Sequence, residues 1–350
     1  MTSHTEFGPN TTATEVAAVF KDQVKGKNVV VTGVSPGGIG ASTALAIASQ
    51  QPAILILASR NQSNLDAVAA DIKQKSPSVP TNTVLLDLAS IDSVKAAASH
   101  ISSIVDRIDI LINNAGATFQ TRDAVTTPGG PVVDKQLFTN HVGTFLLTSL
   151  LLPKLSAAAS QAAKGSVRVV NLSSLGHRLS PIRFSDYAFQ KELYDVPESE
   201  RPPAVIPEAF RKVTGDYPGF VGYGQSKTAN ILHAWELTKR AQAKGENIFS
   251  VSVHPGTIVT GLTRSLDTEG RAAMDGTAPN GIPKTLDEGA ATTLVAAFDP
   301  KLAEGDTTSE PTFLSDCQLA LEKMGPHARD AAAAQRLWNE SEKMVGVKCL

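Results

Sequence analysis

The sequence predicts an α/β fold: a single Rossmann-type, doubly wound parallel sheet of about seven strands, with helices on both faces. Apolar, β-rich runs alternate six times with helical stretches, which is the order of successive βαβ units. Most of these runs are continuously apolar rather than alternating, as expected for strands covered on both faces. A chain of 350 residues with 42% hydrophobic content is long enough to bury such a core in one domain.

The predicted strands are rich in β-branched and aliphatic residues. They cover residues 28–32, 53–59, 83–88, 109–113, 167–172, 248–253 and 311–314. The predicted helices carry an apolar stripe with helical spacing. They cover residues 39–49, 65–74, 91–105, 135–156, 226–243 and 286–298. In a doubly wound sheet, a ligand is expected in the crevice at the carboxyl ends of the strands.

The first strand leads into a glycine-rich turn and then into a helix. The turn reads Thr32-Gly33-Val34-Ser35-Pro36-Gly37-Gly38-Ile39-Gly40. Glycine allows a sharp turn and lets a pyrophosphate approach the amides at the helix N-terminus, where the dipole is positive. Glycines also serve simple tight turns, but the position between strand and helix favours a dinucleotide site.

The end of the second strand indicates which dinucleotide is preferred. It reads Ser59-Arg60-Asn61, and no acidic residue follows before Asp66. An NAD site usually has an Asp or Glu here, which accepts hydrogen bonds from the ribose hydroxyls. A guanidinium instead binds a 2′-phosphate through paired hydrogen bonds. We therefore expect NADP(H); the alternative is that Arg60 is a solvated charge at a strand end.

Two tyrosines are each followed four residues later by a lysine: Tyr187 by Lys191, and Tyr223 by Lys227. A phenol ionises near pH ~10, so it needs an adjacent cation to exchange protons readily at neutrality. After Lys191 the chain soon reaches Pro197, which leaves no room for a long helix. After Lys227 an apolar helical stripe continues. Tyr223 is therefore favoured as the proton donor, and Tyr187 as a packed aromatic residue.

Seven motifs then occur in an order typical of one superfamily. Besides the glycine turn and the segment from Tyr223 to Lys227, they are Asp87-Leu88, Asn113-Asn114-Ala115-Gly116, Asn140-His141-Val142-Gly143, Asn171-Leu172-Ser173-Ser174 and His254-Pro255-Gly256-Thr257-Ile258-Val259-Thr260. Over residues 25–265 the chain resembles the short-chain dehydrogenases/reductases. Within them it looks like the retinol-dehydrogenase-like branch with its fungal relatives.

This resemblance implies a catalytic set of Ser174, Tyr223, Lys227 and Asn140. Ser174 would hydrogen-bond the substrate oxygen while Tyr223 passes the proton. Lys227 would hold the nicotinamide ribose and lower the pKa of the tyrosine, and Asn140 would position a water. Preorganised donors are worth most where negative charge grows on the oxygen as hydride arrives. Ser174 is preferred to Ser173 because the family's catalytic serine is usually the second of such a pair.

The resemblance also implies a set of cofactor contacts at the strand ends. They are Gly33, Ser35, Gly38, Ile39, Gly40, Arg60, Asp87, Leu88, Asn114, Ala115, Gly116, Tyr223, Lys227, Pro255, Gly256, Ile258 and Thr260. Some have structural alternatives: Asp87 as a helix cap, Asn113 as a brace between strands, and Pro255 with Gly256 as a turn. The glycine turn is one residue longer than usual, which leaves the choice between Gly37 and Gly38 at the phosphate open.

Ser174 and Tyr223 are 49 positions apart, more than in compact relatives, where a short spacing would suit Tyr187 instead. The intervening segment 178–222 is rich in aromatic residues: Phe184, Tyr187, Phe189, Tyr194, Phe210, Tyr217 and Phe220. We expect this insertion to be a substrate lid for a bulky, partly apolar carbonyl or alcohol. The alternative is that its aromatic rings form a small core that holds the insertion together.

The remaining segments complete the expected organisation. Residues 1–24 are expected to be an N-terminal arm with a short amphipathic helix, and 25–350 a single dinucleotide-binding catalytic domain. Residues 266–350, its C-terminal extension, contain no motif that we can interpret. The family resemblance implies helices around 135–156 and 223–243 as surfaces for a homodimer, unless extra segments block them.

Bulk properties exclude several classes of protein. A net charge of -2 gives no reason to expect a nucleic-acid partner. Two distant cysteines and no cluster with ligand spacing argue against a disulfide framework and a metal site. Without a signal-like segment or an apolar run of membrane-spanning length, we expect no membrane anchor and a cytoplasmic location.

The leading functional expectation is an NADP(H)-dependent oxidoreductase that interconverts a carbonyl and a primary or secondary alcohol. Two alternatives remain open. One is a nucleotide-binding regulator without turnover. The other is an isomerase or cyclase on the same fold, which would leave the cofactor unconsumed.

Overall fold

The computed structural model describes residues 1–262 and 266–350. The strands are β1 (Asn28–Thr32), β2 (Ile54–Ser59), β3 (Thr81–Leu85), β4 (Ile110–Asn113), β5 (Ala124–Thr126), β6 (Val132–Asp134), β7 (Val167–Leu172), β8 (Ile248–His254), β9 (Phe313–Ser315) and β10 (Gln318–Leu319). The α-helices are α1 (Ala13–Val19), α2 (Lys21–Val24), α3 (Ile39–Ala48), α4 (Gln62–Lys75), α5 (Ile91–Ile104), α6 (Lys135–Leu137), α7 (Gly143–Ala159), α8 (Gly219–Ala243), α9 (Thr268–Asp275), α10 (Leu286–Phe298) and α11 (Ala331–Val345).

Eight strands form the central sheet in the order β10-β9-β8-β7-β4-β1-β2-β3. The strands from β9 to β3 in this order are parallel to their neighbours, whereas the two-residue strand β10 is antiparallel to β9. The chain runs outward from β1 to β3 and then returns to β4 on the other side of β1. The order thus reverses beside β1, where doubly wound sheets bind their ligands. The predicted doubly wound sheet of about seven strands is confirmed.

The sheet is covered on both faces, and β1 shows how its sequence achieves this. Successive side chains of a strand point to opposite faces. Val30 packs in the core shared with α5, α7, α8 and α11. Val29 and Val31 pack in the core shared with α1, α3, α4 and α10. A run of three valines therefore suits this strand, whereas an alternating pattern would expose one face.

Several helix boundaries differ from the prediction, and two of the differences are large. The sequence predicts a single helix over 135–156. In the structure this stretch consists of α6, a π-helical turn at Phe138–Val142, and α7. Helix α8 begins at Gly219, seven residues before the predicted start at 226. Its first turns contain Gly222 and Gly224, which weaken local helix propensity. Tertiary contacts override that weakness, because the helix passes close to Tyr217 and to the backbone of residue 176.

Both ends of the chain pack on the central fold. In α1, Val16 and Ala17 are buried in the core shared with α3 and α10. In α11, Trp338 packs edge-on against Phe145 of α7, with ring centres 5.0 Å apart, and beside His233 of α8. The C-terminal helix therefore covers part of the surface formed by α7 and α8.

One helical stretch of the described chain, Lys135–Ala159, is long and apolar enough to cross a bilayer by length and composition. Its most apolar window is 67% buried inside the fold. The core helix of a soluble protein gives the same pattern, so this stretch is weak evidence for a membrane span.

Candidate active site

A cavity of about 350 Å³ lies at the carboxyl ends of the central strands. Many of the residues expected to bind cofactor line it: Gly33, Ser35, Gly38, Ile39, Arg60, Leu88, Asn114, Ala115, Gly116, Tyr223, Lys227, Pro255 and Thr260. Five different strand ends contribute to this set, so the sheet brings together residues that are far apart in sequence. The other expected residues, namely Gly40, Asp87, Asn140, Ser174, Gly256 and Ile258, lie behind or beside this wall.

The glycine turn allows β1 and β4 to approach closely. Gly33 has a φ of +73°, and a Cβ there would lie 2.5 Å from the Cα of Ala115. A Cβ on Gly40 would lie 2.5 Å from Nδ2 of Asn114. Gly37 has a φ of +69° in open space, whereas Gly38 lines the cavity at the N-cap of α3. Because that N-cap has no side-chain hydrogen bond, the helix N-terminus presents its dipole and amides to the cavity.

Two asparagines at the end of β4 have different tasks. The Nδ2 group of Asn114 donates to the carbonyl oxygens of Thr32 and Gly33, at 2.8 and 3.2 Å. Asn114 therefore fixes the glycine turn from behind. Asn113 is buried and donates to Asn171 on β7, at 2.9 Å, and to Thr148 on α7, at 3.0 Å. Asn113 therefore braces neighbouring elements, as its structural alternative predicts.

Arg60 extends from the end of β2 and lines the cavity with an exposed side chain. No hydrogen bond or ion pair occupies its guanidinium among the described residues. Ser59, beside it, also lines the cavity. An unpaired guanidinium at this position has donors available for a phosphate.

Asp87 uses its carboxylate locally. Its Oδ1 accepts a hydrogen bond from the backbone N–H of Ala89 at 3.0 Å, just before Ser90 caps helix α5. Its neighbours Leu86 and Leu88 line the cavity, although Asp87 does not. The geometry is thus that of a local turn beside the cavity; helix α5 is capped by Ser90 and not by Asp87.

The two adjacent serines face different surroundings. Ser173 is buried, its hydroxyl donates to the carbonyl oxygen of Lys227 at 2.8 Å, and it lines the cavity, whereas Ser174 does not. The Oγ of Ser174 accepts from the backbone N–H of Gly176 at 3.0 Å, and the hydroxyl is directed towards Tyr223, whose pKa it lowers. Because successive side chains at the end of β7 point in opposite directions, only one of the pair reaches the tyrosine.

Burial dominates the proton affinities of Tyr223 and Lys227. It raises the pKa of Tyr223 to about 12, and the hydroxyl of Ser174 opposes this rise. Burial also lowers the pKa of Lys227 to about 8. The Nζ atom of Lys227 lies 5.5 Å from the centre of the Tyr223 ring. The family resemblance implies a lysine that lowers the pKa of the tyrosine; in this structure desolvation of the phenolate is the largest influence on the pKa of Tyr223.

The ammonium group of Lys227 has N–H donors that are available to a ligand. Its Nζ donates to the carbonyl oxygen of Leu172 at 3.0 Å and lines the cavity. A Cβ on Gly116 would lie 3.2 Å from this Nζ, so glycine keeps the space beside the ammonium open. An ammonium has three N–H donors, and the cavity side of this one is accessible to a polyhydroxyl ligand.

Asn140 lies in the π-helical turn between α6 and α7 and is fully buried. Its side chain exchanges two hydrogen bonds with the backbone of Ala117, at 2.8 and 2.9 Å, and donates to Oγ of Ser226 at 2.9 Å. Its amide therefore ties the loop after β4 to helix α8. Single π-helical turns of this kind are frequent at functional sites.

The loop after β8 is only partly on the cavity wall. Pro255 and Thr260 line the cavity. Gly256 has a φ of +99° and packs against the side chain of Lys284. Ile258 packs against Gly289 on α10, so its side chain anchors the loop from behind.

Tyr187 and the insertion lie apart from the cavity. Tyr187 is buried in the main core, its ring packs edge-on against Phe184, and burial raises its pKa. Phe189 and Tyr217 form a small separate core with Val221. No residue of 178–222 lines the cavity among the residues described. This packing favours the small-core alternative for the aromatic rings, and the lid role stays a prediction.

Sequence reasoning missed part of the cavity wall. Thr118, Phe119, Gly261 and Leu262 line it beside the expected residues. They directly follow two recognised motifs, and that adjacency was the available signal. Within the described residues, no group of three or more His, Cys, Asp or Glu side chains is arranged to hold a metal ion.

Comparisons with known proteins agree with this geometry. The family model for short chain dehydrogenases matches residues 27–192. The chain is 36% identical to the oxidoreductase fscI of Fusarium equiseti over 247 residues, 70% of this chain and 93% of that protein. It is 33% identical to human retinol dehydrogenase 13 over 345 residues, 95% of this chain and 88% of that protein.

Solved structures show the same fold. An uncharacterised protein of Mycobacterium paratuberculosis has a TM-score of 0.63 and 26% identity, covering 93% of this chain and 96% of its own. The Pseudomonas aeruginosa RhlG/NADP complex has a TM-score of 0.55 and 22% identity, covering 80% and 92%.

Proposed function

The chain belongs to the short-chain dehydrogenase family, in its retinol-dehydrogenase-like branch, and on that premise we propose an NADP(H)-dependent enzyme that interconverts a carbonyl and a primary or secondary alcohol. One observation carries this proposal. Tyr223 and Lys227 both line the cavity, with Nζ of Lys227 5.5 Å from the centre of the Tyr223 ring, and Ser174 lies beside the tyrosine, where its hydroxyl lowers the pKa of Tyr223. A proton donor, a cation and a second hydroxyl donor thus meet at one end of a cleft.

The residues of the cleft fit a nicotinamide dinucleotide. The N-terminus of α3 would hold the pyrophosphate, and Lys227 would hold the nicotinamide ribose through its accessible ammonium donors. Arg60 would bind the 2′-phosphate that distinguishes NADP(H) from NAD(H). When bound, the cofactor supplies the hydride.

The chain itself supplies a proton and a polarised environment. Because burial raises the pKa of Tyr223 to about 12, its hydroxyl carries a proton at neutral pH and can donate it to the substrate oxygen. Ser174 accepts from Gly176, and its O–H, which acts on Tyr223 in this structure, would donate to the same substrate oxygen. Lys227, with a pKa of about 8, is mostly protonated at pH 7 and stabilises the phenolate that Tyr223 leaves.

The cavity wall supports a bulky, partly apolar substrate. Phe119 and Leu262 both line the cavity and contribute two large apolar side chains to its wall. Several relatives carry the name retinol dehydrogenase, whose named substrate is a large apolar alcohol. We therefore propose apolar ketones, aldehydes and the corresponding alcohols as the substrate class.

A carbonyl panel with NADPH tests this function. NADPH absorbance and the alcohol formed are measured together for apolar ketones and aldehydes and for small polar aldehydes. Consumption of one NADPH per alcohol formed, with apolar carbonyls preferred, supports the proposal. Nucleotide binding without consumption would instead indicate a regulator. Product formed without loss of NADPH would indicate an isomerase or cyclase.

A further inference from the structure

A buried histidine lies directly behind Ser174. The Nδ1 atom of His177 is 2.6 Å from the carbonyl oxygen of Ser174. On the other side of the ring, Nε2 lies 3.0 Å from the backbone nitrogen of Gly325, which belongs to the C-terminal extension. The side chain is fully buried, so no water competes for either nitrogen. His177 thus links the loop that carries Ser174 to a segment 148 positions further along the chain.

The hydrogen bonds determine where the ring carries its proton. A backbone N–H can only donate, so Nε2 must accept from Gly325 with its lone pair. Burial lowers the pKa of His177 to about 4, so the ring is neutral at pH 7 and carries one N–H. That N–H is therefore on Nδ1, where it donates to the carbonyl oxygen of Ser174.

Further contacts hold the same turn in place. The carbonyl oxygen of His177 accepts from Oγ1 of Thr228 on α8, at 2.9 Å, and from Nε2 of His327, at 2.8 Å. The ring of Phe313 on β9 packs edge-on against His177, with centres 5.3 Å apart. The turn that follows Ser174 is thus held between the tyrosine-bearing helix and the C-terminal extension.

We propose that His177 is a positioning residue for Ser174, and that residues 325–327 of the C-terminal extension fix the ring that does so. The inference rests on the proposed function, because it assigns the extension a role at the same site. Its physical basis is that the Ser174 hydroxyl must meet the substrate oxygen within hydrogen-bond distance, and its backbone carbonyl is tied to the His177 ring. Ser174 would keep its chemistry without this tie, but the hydroxyl would sample other positions.

Two substitutions of His177 distinguish the roles of its two ring nitrogens. His177→Asn keeps an N–H donor near the position of Nδ1 and loses the acceptor for Gly325. His177→Gln keeps an acceptor near the position of Nε2 and loses the donor to Ser174. We expect His177→Gln to lower kcat roughly tenfold more than His177→Asn, about the effect of one lost hydrogen bond, with nucleotide affinity unchanged in both. Equal kcat values in the two variants would show that His177 only fills the core.

Substitutions at Gly325 test the role of the extension. Gly325 has a φ of -69° and a ψ of 144°, and Met324 before it is also extended, so proline fits this backbone. Gly325→Pro removes the N–H that bonds His177. Gly325→Ala is the matched control, because it places a similar Cβ against His327 and keeps the N–H. We expect a severalfold lower kcat in Gly325→Pro than in Gly325→Ala; equal values would overturn the role of the extension.

A spectroscopic readout keeps this inference separable from the proposed function. Nitrogen-15 NMR of the histidine rings in the full chain reports which nitrogen of His177 is protonated, and it needs no turnover. We expect an Nδ1–H signal in wild type and in Gly325→Ala, and an altered signal in Gly325→Pro. If no carbonyl is turned over but this pattern holds, the function is wrong and the hydrogen-bond arrangement stands. An Nε2–H signal in wild type would overturn the inference itself.

Discussion

Ser173 and Ser174 are neighbours in sequence, yet their hydroxyls have different partners. The hydroxyl of Ser173 donates to the backbone carbonyl oxygen of Lys227 although the residue also lines the cavity, while the hydroxyl of Ser174 acts on Tyr223 and lowers its pKa. Strand geometry causes this difference, because consecutive side chains at the end of β7 point in opposite directions. The two residues therefore form a matched pair for substitution.

Removing the hydroxyl of Ser174 should mainly affect catalysis, whereas removing that of Ser173 should mainly affect stability. Ser174→Ala is expected to lower kcat by roughly 100- to 1000-fold, as the loss of one donor to a developing oxyanion does. Ser173→Ala is expected to leave kcat within a few fold and to cost about 1 kcal/mol of stability, from one buried hydrogen bond. Steady-state kinetics and urea unfolding of both variants measure this. The reverse ranking of kcat would assign the reaction to Ser173.

The choice of nucleotide should depend on Arg60. Arg60→Gln is expected to raise the KM for NADPH by roughly 10- to 100-fold and to change the KM for NADH little, because it removes charge-assisted hydrogen bonds to a phosphate. Lys95→Gln, on the exposed side of α5, is the control with the same change in net charge. A uniform effect on both nucleotides would show that Arg60 acts only as a solvated charge.

At the level of single residues, the ordered motifs allowed most of the residues that line the cavity to be predicted from the sequence. The glycine turn, Asn114 and the segment from Tyr223 to Lys227 are recognisable because their spacing is local. The link between His177 and Gly325 was not predictable. Such contacts depend on how distant elements pack, and a single sequence does not contain that information.

Among the elements, the loop after β8 is held by the C-terminal extension. The side chain of Lys284 packs against Gly256, and its backbone N–H donates to Thr257 at 2.9 Å. Its Nζ forms an ion pair of 2.7 Å with Asp316 in the turn between β9 and β10. Lys323 pairs with the other oxygen of Asp316 at 2.9 Å. Although burial opposes it, the two ammonium groups hold the pKa of Asp316 well below its usual value.

Nucleotide affinity should therefore depend on Lys284 more than on Lys323. Lys284→Met keeps most of the methylene packing and removes the charge that fixes the loop carrying Pro255. We expect it to weaken nucleotide binding severalfold with a smaller effect on kcat, as measured by fluorescence titration. Lys323→Met removes a partner of the same carboxylate without touching the loop, so its nucleotide affinity should match wild type. Equal weakening in both variants would contradict this role for Lys284.

At the level of elements, the βαβ order was predictable and several details were not. Continuous apolar runs and helical stripes indicate buried strands and their covering helices. The hairpin of β5 and β6 consists of three-residue strands, too short to show a period. The early start of α8 depends on glycines that pack against other elements. Local preference alone predicts the opposite there.

The whole molecule buries several histidines in their neutral form. Burial lowers the pKa of His177 and His233 to about 4 and that of His254 to about 3, and it also lowers the pKa of His141. In the unfolded chain each would titrate near pH ~6.5. Asp134 acts in the other direction, because burial raises its pKa to about 7.

These shifts predict that the fold loses stability on acidification. Below pH ~6.5 the histidines are protonated in the unfolded chain but stay neutral in the folded protein. The free energy of unfolding therefore falls by about 1.4 kcal/mol per pH unit for each proton that only the unfolded chain binds. Asp134 binds a proton in the folded state below pH 7 and offsets one of them. Urea unfolding at pH 7.5 and pH 5 should show clearly lower stability at pH 5. Equal or higher stability at pH 5 would contradict the neutral burial of these rings.

His233→Leu provides the matched control for that measurement. Neither ring nitrogen of His233 has a hydrogen-bond partner among the described residues, so leucine removes a titrating group without breaking a bond. The dependence of unfolding free energy on pH between 5 and 6.5 should decrease by about one proton. An unchanged slope would show that His233 is not buried in its neutral form.

The central claim is that Tyr223, and not Tyr187, gives the proton to the substrate oxygen. The most direct measurement is single-turnover oxidation of enzyme-bound NADPH by an apolar carbonyl, compared in wild type, Tyr223→Phe and Tyr187→Phe. We expect Tyr223→Phe to bind NADPH as wild type does and to lose at least roughly 100-fold in rate, while Tyr187→Phe keeps a near-normal rate. Loss of turnover in Tyr187→Phe with a normal rate in Tyr223→Phe would contradict the assignment.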